Sequence, residues 1–226
     1  MARNKYPEET QNLILETAQR LFMEKGFENT SVQDIINNLG GLSKGAIYHH
    51  FKSKEEILLA IMNRMDANIS RDLHRICEEK GLNGYEKLKK LFRESIRNSD
   101  KDIAFLTAPD LMKNPKMLVL HLKSIFEEEV PGYIQPILEE GVRDGSIQTD
   151  YPKELAEVFM LLSNLWINPL VFGSTMDLES MMRRVEFYRH LTQQLGLDLV
   201  DDEMIDRLRQ LGESYYSRKF DGTAGT

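Results

Sequence analysis

A short run of basic and aromatic side chains near the amino terminus has the types and spacing that a DNA-reading helix needs. Residues 42–54 read Leu-Ser-Lys-Gly-Ala-Ile-Tyr-His-His-Phe-Lys-Ser-Lys. Lys44 and Gly45 lie in the first turn of the predicted helix, where Gly45 allows close approach and Lys44 reaches guanine acceptors or a phosphate. Tyr48 and His49 follow one turn later. We interpret this run as a helix that enters the major groove of double-stranded DNA.

Side chains on either side of this helix are candidates for phosphate contacts. Lys52 and Lys54 flank its end. Thr30 and Ser43 are interpreted as N-caps, whose hydroxyls lie near exposed backbone N–H groups that bind phosphate. For His50, a phosphate contact and a structural role both stay open. The predicted DNA-binding residues are Thr30, Ser43, Lys44, Gly45, Tyr48, His49, His50, Lys52 and Lys54.

Other residues that could do chemistry form weaker patterns. His74 and Cys77 lie three apart on one helix face, but two residues do not make a metal site, and a solvated face is the preferred interpretation. The sequence contains no nucleophile elbow, no phosphate-cradling glycine loop and no zincin pattern. We therefore expect no enzymatic activity, no metal site and no cofactor.

The elements that must position the DNA-reading residues are helices. The first segment repeats apolar residues on one helix face: Ile14, Ala18, Leu21 and Phe22. We expect this helix to end at Gly26 and the next to begin at Thr30, with Gln33 completing a capping box. A glycine turn then leads to the DNA-reading helix. Three helices within residues 8–51 therefore predict a helix-turn-helix unit.

Longer amphipathic helices are predicted for the rest of the chain, near residues 85–98, 103–112, 116–128, 133–144, 152–172, 178–195 and 202–216. The sequence has no alternating apolar run long enough for a sheet, so the predicted fold class is all-α. We expect three parts. Residues 1–54 form the helix-turn-helix DNA-binding domain, residues 55–220 a helical ligand-binding and dimerisation domain, and residues 221–226 a flexible tail.

Charge restricts where DNA can bind. The 226 residues carry a net charge of −7. Residues 1–54 hold seven basic and six acidic side chains, whereas the remainder holds 22 basic and 30 acidic ones. An acidic body is repelled by phosphates, so DNA contacts are expected from the amino-terminal end.

Composition also bears on the compartment. The chain is 41% hydrophobic, and its single cysteine permits no intramolecular disulfide. The first residues lack the apolar core of a signal peptide. Residues 155–172 are interrupted by polar side chains and predict a buried helix rather than a membrane span. We expect a cytoplasmic protein with no membrane partner.

The amino-terminal quarter of the chain carries a family resemblance. The matching positions are Ala18, Leu21, Phe22, Gly26, Phe27, Thr30, Ser31 and Ile35, followed by the unbroken run from Ser43 to Lys54. In spacing, caps and aromatic residues, this segment resembles the N-terminal domain of the tetracycline-repressor (TetR) family of bacterial transcription regulators. It departs from the family pattern at Gly40-Gly41, where members usually have one glycine before the recognition helix.

The resemblance implies a sequence-specific transcriptional regulator: a dimeric repressor of a palindromic operator that a small-molecule effector releases. It implies a homodimer in which two late helices of each subunit pack as a four-helix bundle. Effector binding would shift the helix that starts near Ser53 and change the distance between two recognition helices, which read half-sites ~34–36 Å apart. Two alternatives stay open. One is a regulator, acting as repressor or activator, whose C-terminal domain binds a protein partner. The other is a helical enzyme with an incidental helix-turn-helix.

Apolar and amide side chains of the C-terminal helices are the candidates for a partly apolar effector pocket. They are Met112, Phe126, Tyr133, Met160, Asn164, Trp166 and Asn168. Methionine suits adaptable apolar pockets. Asn164 and Asn168 lie four apart near Trp166 and would be costly to bury unpaired. The same side chains also suit an ordinary core, and the two asparagines also suit pairing across a dimer interface.

Overall fold

The computed structural model describes residues 7–41, 44–97, 110–172 and 175–221, and within these ranges its regular structure is helical. Helices α1 to α5 span Pro7–Lys25, Val32–Asn37, Lys44–His50, Lys54–Cys77 and Gly84–Arg97. A 3-10 turn at Leu111–Lys113 precedes α6 (Pro115–Lys123), the wide π-helical segment π1 (Ser124–Ile134) and α7 (Gln135–Asp144). The chain continues as α8 (Pro152–Leu161), a second wide segment π2 (Leu162–Trp166), α9 (Pro169–Phe172), α10 (Leu178–Gln194) and α11 (Asp202–Asp221). The all-α prediction is confirmed.

The chain divides into two compact units inside α4, between Asn68 and Ile69. The boundary expected after residue 54 coincides with the first turn of α4, so the units divide later along this helix. The first half of α4 carries buried apolar residues, namely Ile57, Leu58 and Ile61. Arg64 also donates to the side-chain oxygen of Asn12 in α1 at 3.4 Å. These interactions attach the first half of α4 to the first unit.

The turn between α1 and α2 differs by one residue from the predicted one. Gly26 takes a φ of +79°, the left-handed conformation that ends α1. Ser31, not Thr30, caps α2, because its hydroxyl accepts the N–H of Asp34 at 3.1 Å while the Asp34 carboxylate accepts the N–H of Ser31 at 2.8 Å. The predicted capping box of Thr30 and Gln33 is therefore wrong. The hydroxyl of Thr30 turns inward and donates to the carbonyl of Gly26 at 2.8 Å.

Besides a smaller buried cluster of Met176, Met181 and Tyr216, the second unit has a large apolar core. Its buried members include Ile76, Leu88, Ile125, Ile134, Leu138, Phe159, Val185, Tyr188 and Met204. The Tyr188 ring stacks on Phe92, with 6.2 Å between the ring centroids. Ion pairs join α5 to the start of α11, from Arg93 to Asp201 and from Arg97 to Glu203. The amphipathic patterns read from the sequence thus correspond to helices that share this core.

The break predicted at Pro131 is absent. The sequence predicts separate helices over 116–128 and 133–144, whereas α6 continues through π1 into α7. Proline lacks an N–H, and in an α-helix its ring clashes with the carbonyl four residues back. In π1 the N–H of Gln135 instead bonds to the carbonyl of Val130, five residues back. This wider turn accommodates Pro131 without ending the helix.

The single helix predicted for 152–172 is divided. α8 widens into π2, and the chain then turns at Asn168 before α9. The side-chain oxygen of Asn168 accepts the N–H of Leu170 at 2.9 Å, and its amide nitrogen donates to the carbonyl of Asn164 at 2.9 Å. Since the residue before a proline is disfavoured in the α conformation, Pro169 explains the break at this point.

Helices α5 and α7 cross at two glycines. A Cβ atom on Gly84 would overlap the backbone of Gly141 and lie 2.8 Å from the carbonyl oxygen of Ile137. The two backbones therefore touch. Close to this crossing, Lys87, whose side chain is 7% exposed, pairs with Glu140 at 2.7 Å.

Two predicted segments lie largely outside the described residues. The helix expected over 103–112 is described only at its end, where Leu111–Lys113 form the 3-10 turn. For the tail expected over 221–226, Asp221 is the last residue of α11 and residues 222–226 are outside the described ranges. Within the described residues, no helix is long and apolar enough to cross a membrane.

Candidate nucleic-acid interface

Helix α3 presents a small polar face to solvent. The side chains of Lys44, Tyr48 and His49 are exposed, as is Gly45 in the first turn. The Lys44 ammonium lies 5.8 Å from the centroid of the Tyr48 ring, one turn further along. The exposed residues thus form a continuous surface that combines a cation, a phenol and an imidazole beside a glycine without a side chain.

Buried apolar residues hold this face outward. Ile47 is 0% exposed and Phe51 is 6% exposed, and the N–H of Phe51 donates to the carbonyl of Ile47 at 2.9 Å. These two side chains anchor α3 from its opposite side. The glycine turn that precedes α3 uses positive φ at both positions, +60° at Gly40 and +118° at Gly41, so both glycines contribute to the turn.

The first turn of α4 fixes the chain that follows α3. The hydroxyl of Ser53 accepts the N–H of Glu56 at 3.2 Å, and the Glu56 carboxylate accepts the N–H of Lys52 at 2.7 Å. These two bonds, to neighbouring residues 52 and 53, cap α4, and the side chain of Lys52 is exposed. Lys52 is therefore placed at the end of α3 with its ammonium accessible to a phosphate.

Lys54 does not point outward as predicted. Its ammonium donates to the carbonyl oxygens of Phe27, Glu28 and Thr30 at 2.8, 3.3 and 3.2 Å. It also lies 4.3 Å from the centroid of the Phe27 ring. The charged group of Lys54 is thus bound inside the first unit, and its phosphate contact stays a prediction.

Thr30 also differs from its predicted role. The residue is 1% exposed, and its hydroxyl donates to the carbonyls of Gly26 and Leu21. A direct phosphate contact of this hydroxyl is excluded by its burial. The position predicted for Thr30, at the exposed N-terminus of α2, is occupied by Ser31. The sequence signal for this cap is Ser31 followed three residues later by Asp34.

Two DNA-binding candidates, His50 and Ser43, are neither supported nor contradicted by their positions. His50 is half-buried, with its ring centroid 5.6 Å from that of His49, so both interpretations of His50 stay open. Ser43 lies outside the described residues.

The effector-pocket candidates occupy different environments. Met112 and Phe126 are 55% and 40% exposed, and their place in an effector pocket stays a prediction. Tyr133 and Met160 are buried members of the core, and the Tyr133 hydroxyl bonds to Nε2 of His74 at 3.2 Å.

The effector-pocket candidates in and beside π2 form hydrogen bonds with nearby groups of the second unit. The amide nitrogen of Asn164 donates to the carbonyl of Met160 at 3.2 Å, and Asn168 is bonded as described above. Arg184 donates to the carbonyl of Trp166 at 2.6 Å and lies 5.3 Å from its ring centroid. Backbone groups thus supply partners for both asparagines, so neither amide is unpaired.

An open depression on the second unit has a different lining. It is formed by Arg71, His74, Arg75, Glu78, Glu79 and Lys90. Lys90 and Glu79 pair at 2.6 Å. None of the seven pocket candidates lines this depression. Nearby, burial raises the pKa of the Cys77 thiol, and within the described residues no cluster of three or more histidine, cysteine or acidic residues could hold a metal ion.

The class of protein follows from these features: a three-helix unit with an exposed polar helix defines a helix-turn-helix DNA-binding protein. Residues 14–61 match the sequence profile described as bacterial regulatory proteins, tetR family. The chain is 32% identical over 160 residues to the HTH-type transcriptional repressor KstR2 of Rhodococcus jostii, which covers 68% of this chain and 75% of that protein. The chain belongs to the TetR family of bacterial transcription regulators.

Other relatives agree with this assignment. Identity to the HTH-type transcriptional repressor AcnR of Corynebacterium glutamicum is 27% over 184 residues, 80% of this chain and 92% of that protein. A local match to the HTH-type regulator YuxN of Bacillus subtilis is 49% identical, but the chain spans only 19% of that protein. The relatives are named as transcriptional regulators, which are not enzymes.

Solved structures share the fold. A TetR/AcrR-family regulator from Thermobifida fusca superposes with a TM-score of 0.57 at 24% identity, covering 83% of this chain and 97% of that one. A TetR-family regulator from Pectobacterium atrosepticum gives a TM-score of 0.58 at 21% identity, with 87% and 97% coverage. The fold is thus that of a helix-turn-helix unit followed by a helical unit. The family match and the named relatives, in turn, identify the protein as a DNA-binding transcription regulator.

Proposed function

We propose that the protein is a homodimeric repressor that binds a palindromic operator in the cytoplasm and is released by a small molecule bound in its second unit. Relatives named as repressors support the direction of regulation. The observation that carries the proposal is the exposed face of α3, formed by Lys44, Gly45, Tyr48 and His49.

This face suits base reading in the major groove. Gly45 lets the backbone approach the base edges, and Lys44 donates to the O6 and N7 acceptors of guanine. Tyr48 presents both a ring and a hydroxyl, 42% exposed, one turn from Lys44. Because Ile47 and Phe51 are buried beneath, the four exposed groups enter a groove as one surface.

Phosphate contacts are assigned to the edges of the same face. Lys52 is exposed directly after α3, and His50 is half-buried beside it. Ser43 precedes α3 and keeps its proposed role as an N-terminal hydroxyl donor to phosphate. Such contacts fix the register of the protein on the duplex while base contacts supply specificity.

An exposed aromatic patch on the second unit supports the proposed homodimer. The rings of Trp166 and Phe187 meet edge-on with centroids 5.7 Å apart, and Phe187 is 54% exposed. Arg184 lies against both Trp166 and Phe172, at 5.3 and 4.9 Å from their ring centroids. Aromatic residues and arginine are enriched in the energetic centres of protein interfaces. The patch lies on π2, α9 and α10, among the late helices.

The wide segments π1 and π2 support an effector site between them. π-helical turns occur frequently at functional sites. Nε2 of His121, just before π1, lies 3.4 Å from the carbonyl of Asn164 in π2. Tyr133, Met160, Asn164, Trp166 and Asn168 lie in or beside these segments and suit a partly apolar ligand. A coupling of ~1–3 kcal/mol between this site and DNA lowers operator affinity by about 5–150-fold.

The test is selection of a binding sequence in vitro, followed by variants of α3. The wild-type protein should enrich a two-fold-symmetric duplex from a random-sequence pool. Lys44→Ala and Tyr48→Ala should each weaken binding of that duplex roughly tenfold, since a good base contact contributes about 1–3 kcal/mol. Tyr151→Ala, at a 67% exposed residue of the second unit, is the matched control and should bind like the parent.

Two results contradict the proposal. The first is enrichment of no sequence from the pool. The second is unchanged affinity of both α3 variants, which would remove this helix from the DNA interface.

A further inference from the structure

We infer that Lys54 is a positioning residue, which holds the turn between α1 and α2 against the start of α4 and thereby sets the pose of the DNA-reading helix. The inference rests on the proposed DNA-reading function. In this inference the ammonium of Lys54, the first residue of α4, binds backbone carbonyls of the first unit instead of a DNA phosphate.

Each N–H group of the Lys54 ammonium has a hydrogen-bond acceptor. A lysine ammonium has three N–H groups and no acceptor. The carbonyls of Phe27, Glu28 and Thr30 lie 2.8, 3.3 and 3.2 Å from Nζ of Lys54, one acceptor for each donor. No N–H is left for a phosphate oxygen while these three bonds are made.

The turn provides a site shaped for a cation. Gly26 ends α1 in the left-handed conformation, and the chain that follows directs three carbonyl oxygens to one point. The Phe27 ring, 3% exposed, lies on the same side, with its centroid 4.3 Å from Nζ of Lys54. Carbonyl dipoles and the ring face both attract positive charge.

The turn that Lys54 binds leads directly into α2 and supports its first residues. The N–H of Thr30 donates to the carbonyl of Phe27 at 3.2 Å, so this oxygen serves both Thr30 and Lys54. The next residue, Ser31, caps α2. Lys54 is also the first residue after the Ser53 cap, so one side chain connects the start of α4 to the start of α2.

Neighbouring Lys52 provides the contrast that makes the inference testable. Its side chain is exposed, whereas that of Lys54 is half-buried. A phosphate contact responds to salt and accepts any cation, because it neutralises charge. A three-carbonyl clamp requires an ammonium, because three carbonyl oxygens converge on one nitrogen and no nitrogen of the arginine guanidinium carries three N–H groups.

The experiment compares Lys54→Met, Lys54→Arg and the control Lys52→Ala on two DNA probes. One probe is the duplex enriched by selection with the parent protein, and the other is a mixed-sequence duplex of equal length. Binding is measured against salt concentration. Hydrogen exchange of the Thr30 amide is followed in the free proteins, which reports on the turn without DNA.

The expected result separates the two lysines. Lys54→Met should weaken the selected duplex roughly tenfold, leave the mixed duplex within about twofold and leave its salt slope unchanged. Lys54→Arg should not restore the selected affinity, and the Thr30 amide should exchange faster in both variants. Lys52→Ala should make the salt slope shallower by about one unit and leave Thr30 exchange unchanged.

Other results overturn the inference. A shallower slope for Lys54→Met with full recovery by Lys54→Arg would assign Lys54 to phosphate. Equal loss on both probes with unchanged Thr30 exchange would also contradict the clamp. Enrichment of no duplex at all would refute the proposed function, and Thr30 exchange would then still decide the role of Lys54.

Discussion

At the residue scale, the caps of the first unit show how single side chains fix the reading helix. Ser31 and Asp34 exchange hydrogen bonds at the start of α2, and these bonds lower the pKa of the Asp34 carboxyl. The hydroxyl of neighbouring Thr30 instead donates to the carbonyls of Leu21 in α1 and of Gly26, the residue that follows α1. Two adjacent hydroxyl residues therefore serve two different helices.

Removing the true cap should be measurable. Ser31→Ala should lower the free energy of unfolding by about 1 kcal/mol, because the N–H of Asp34 loses its acceptor. Gln33→Ala is the control, since Gln33 forms only a surface pair with Asn37 at 3.0 Å. Urea unfolding at neutral pH checks both. A larger loss for Gln33→Ala than for Ser31→Ala would return the capping box to Thr30.

The direction of a side chain was predictable only where local spacing decides it. Ile47 and Phe51 are four apart, and their burial follows from the helical period that also exposes Lys44 and Tyr48. Lys54 was not predictable in this way, because its acceptors are backbone carbonyls 24 to 27 residues earlier. The sequence shows a lysine at position 54, but it does not show that the turn between α1 and α2 binds the ammonium.

At the element scale, helix existence and approximate position could be predicted, whereas interruptions could not. α5 and α10 begin and end within a residue of the predicted limits. The sequence predicts a break at Pro131 because an α-helical turn excludes proline, but the wider turn of π1 accommodates this residue. Periodicity near 3.6 cannot distinguish a broken helix from one that passes through a wider turn.

One carboxylate joins two elements and should make stability depend on pH. Asp144, at the end of α7, accepts the N–H groups of Gly84 and Ser146, each at 2.8 Å. A hydrogen bond with the Ser146 side chain, followed by these two backbone bonds, lowers the pKa of the Asp144 carboxyl. A carboxyl with a lowered pKa stabilises the fold fully above its unfolded pKa, near 4, and loses this effect as pH falls through the folded value.

Asp144→Asn should therefore unfold at lower urea concentration than the parent at pH 7. The difference should shrink as the pH falls below about 4, where the parent carboxyl also becomes neutral. Asp206→Asn, at an exposed position of α11, should show little difference at either pH. A constant difference for Asp144→Asn across the pH range would contradict the role of its charge.

At the scale of the whole molecule, the proposed homodimer depends on the Trp166–Phe187 patch. Phe187→Glu should convert the dimer to a monomer at micromolar concentration, because the centre of an interface excludes unpaired charge. Val142→Glu, at a 38% exposed residue on α7, is the matched control and should stay dimeric. Sedimentation velocity checks both. A dimeric Phe187→Glu variant would move the interface elsewhere.

The class of protein could be predicted from the sequence because the reading helix, its caps and its anchors lie within one short segment. The effector region could not, because its candidates are spread over π1, π2 and the helices between them. Asn164 and Asn168 attracted attention as costly polar groups, yet backbone carbonyls and N–H groups satisfy them. Each of these partners lies within four residues of its asparagine along the chain.

The glycine crossing of α5 and α7 also has an electrostatic consequence. The side chain of Lys87 is almost fully buried. Its carboxylate partner, Glu140, immediately precedes Gly141 in the chain. A side chain at Gly84 would push the helices apart and pull that ammonium away from its counter-ion. An added methyl group would thus leave an unneutralised cation in the interior, a far heavier penalty than the steric displacement itself.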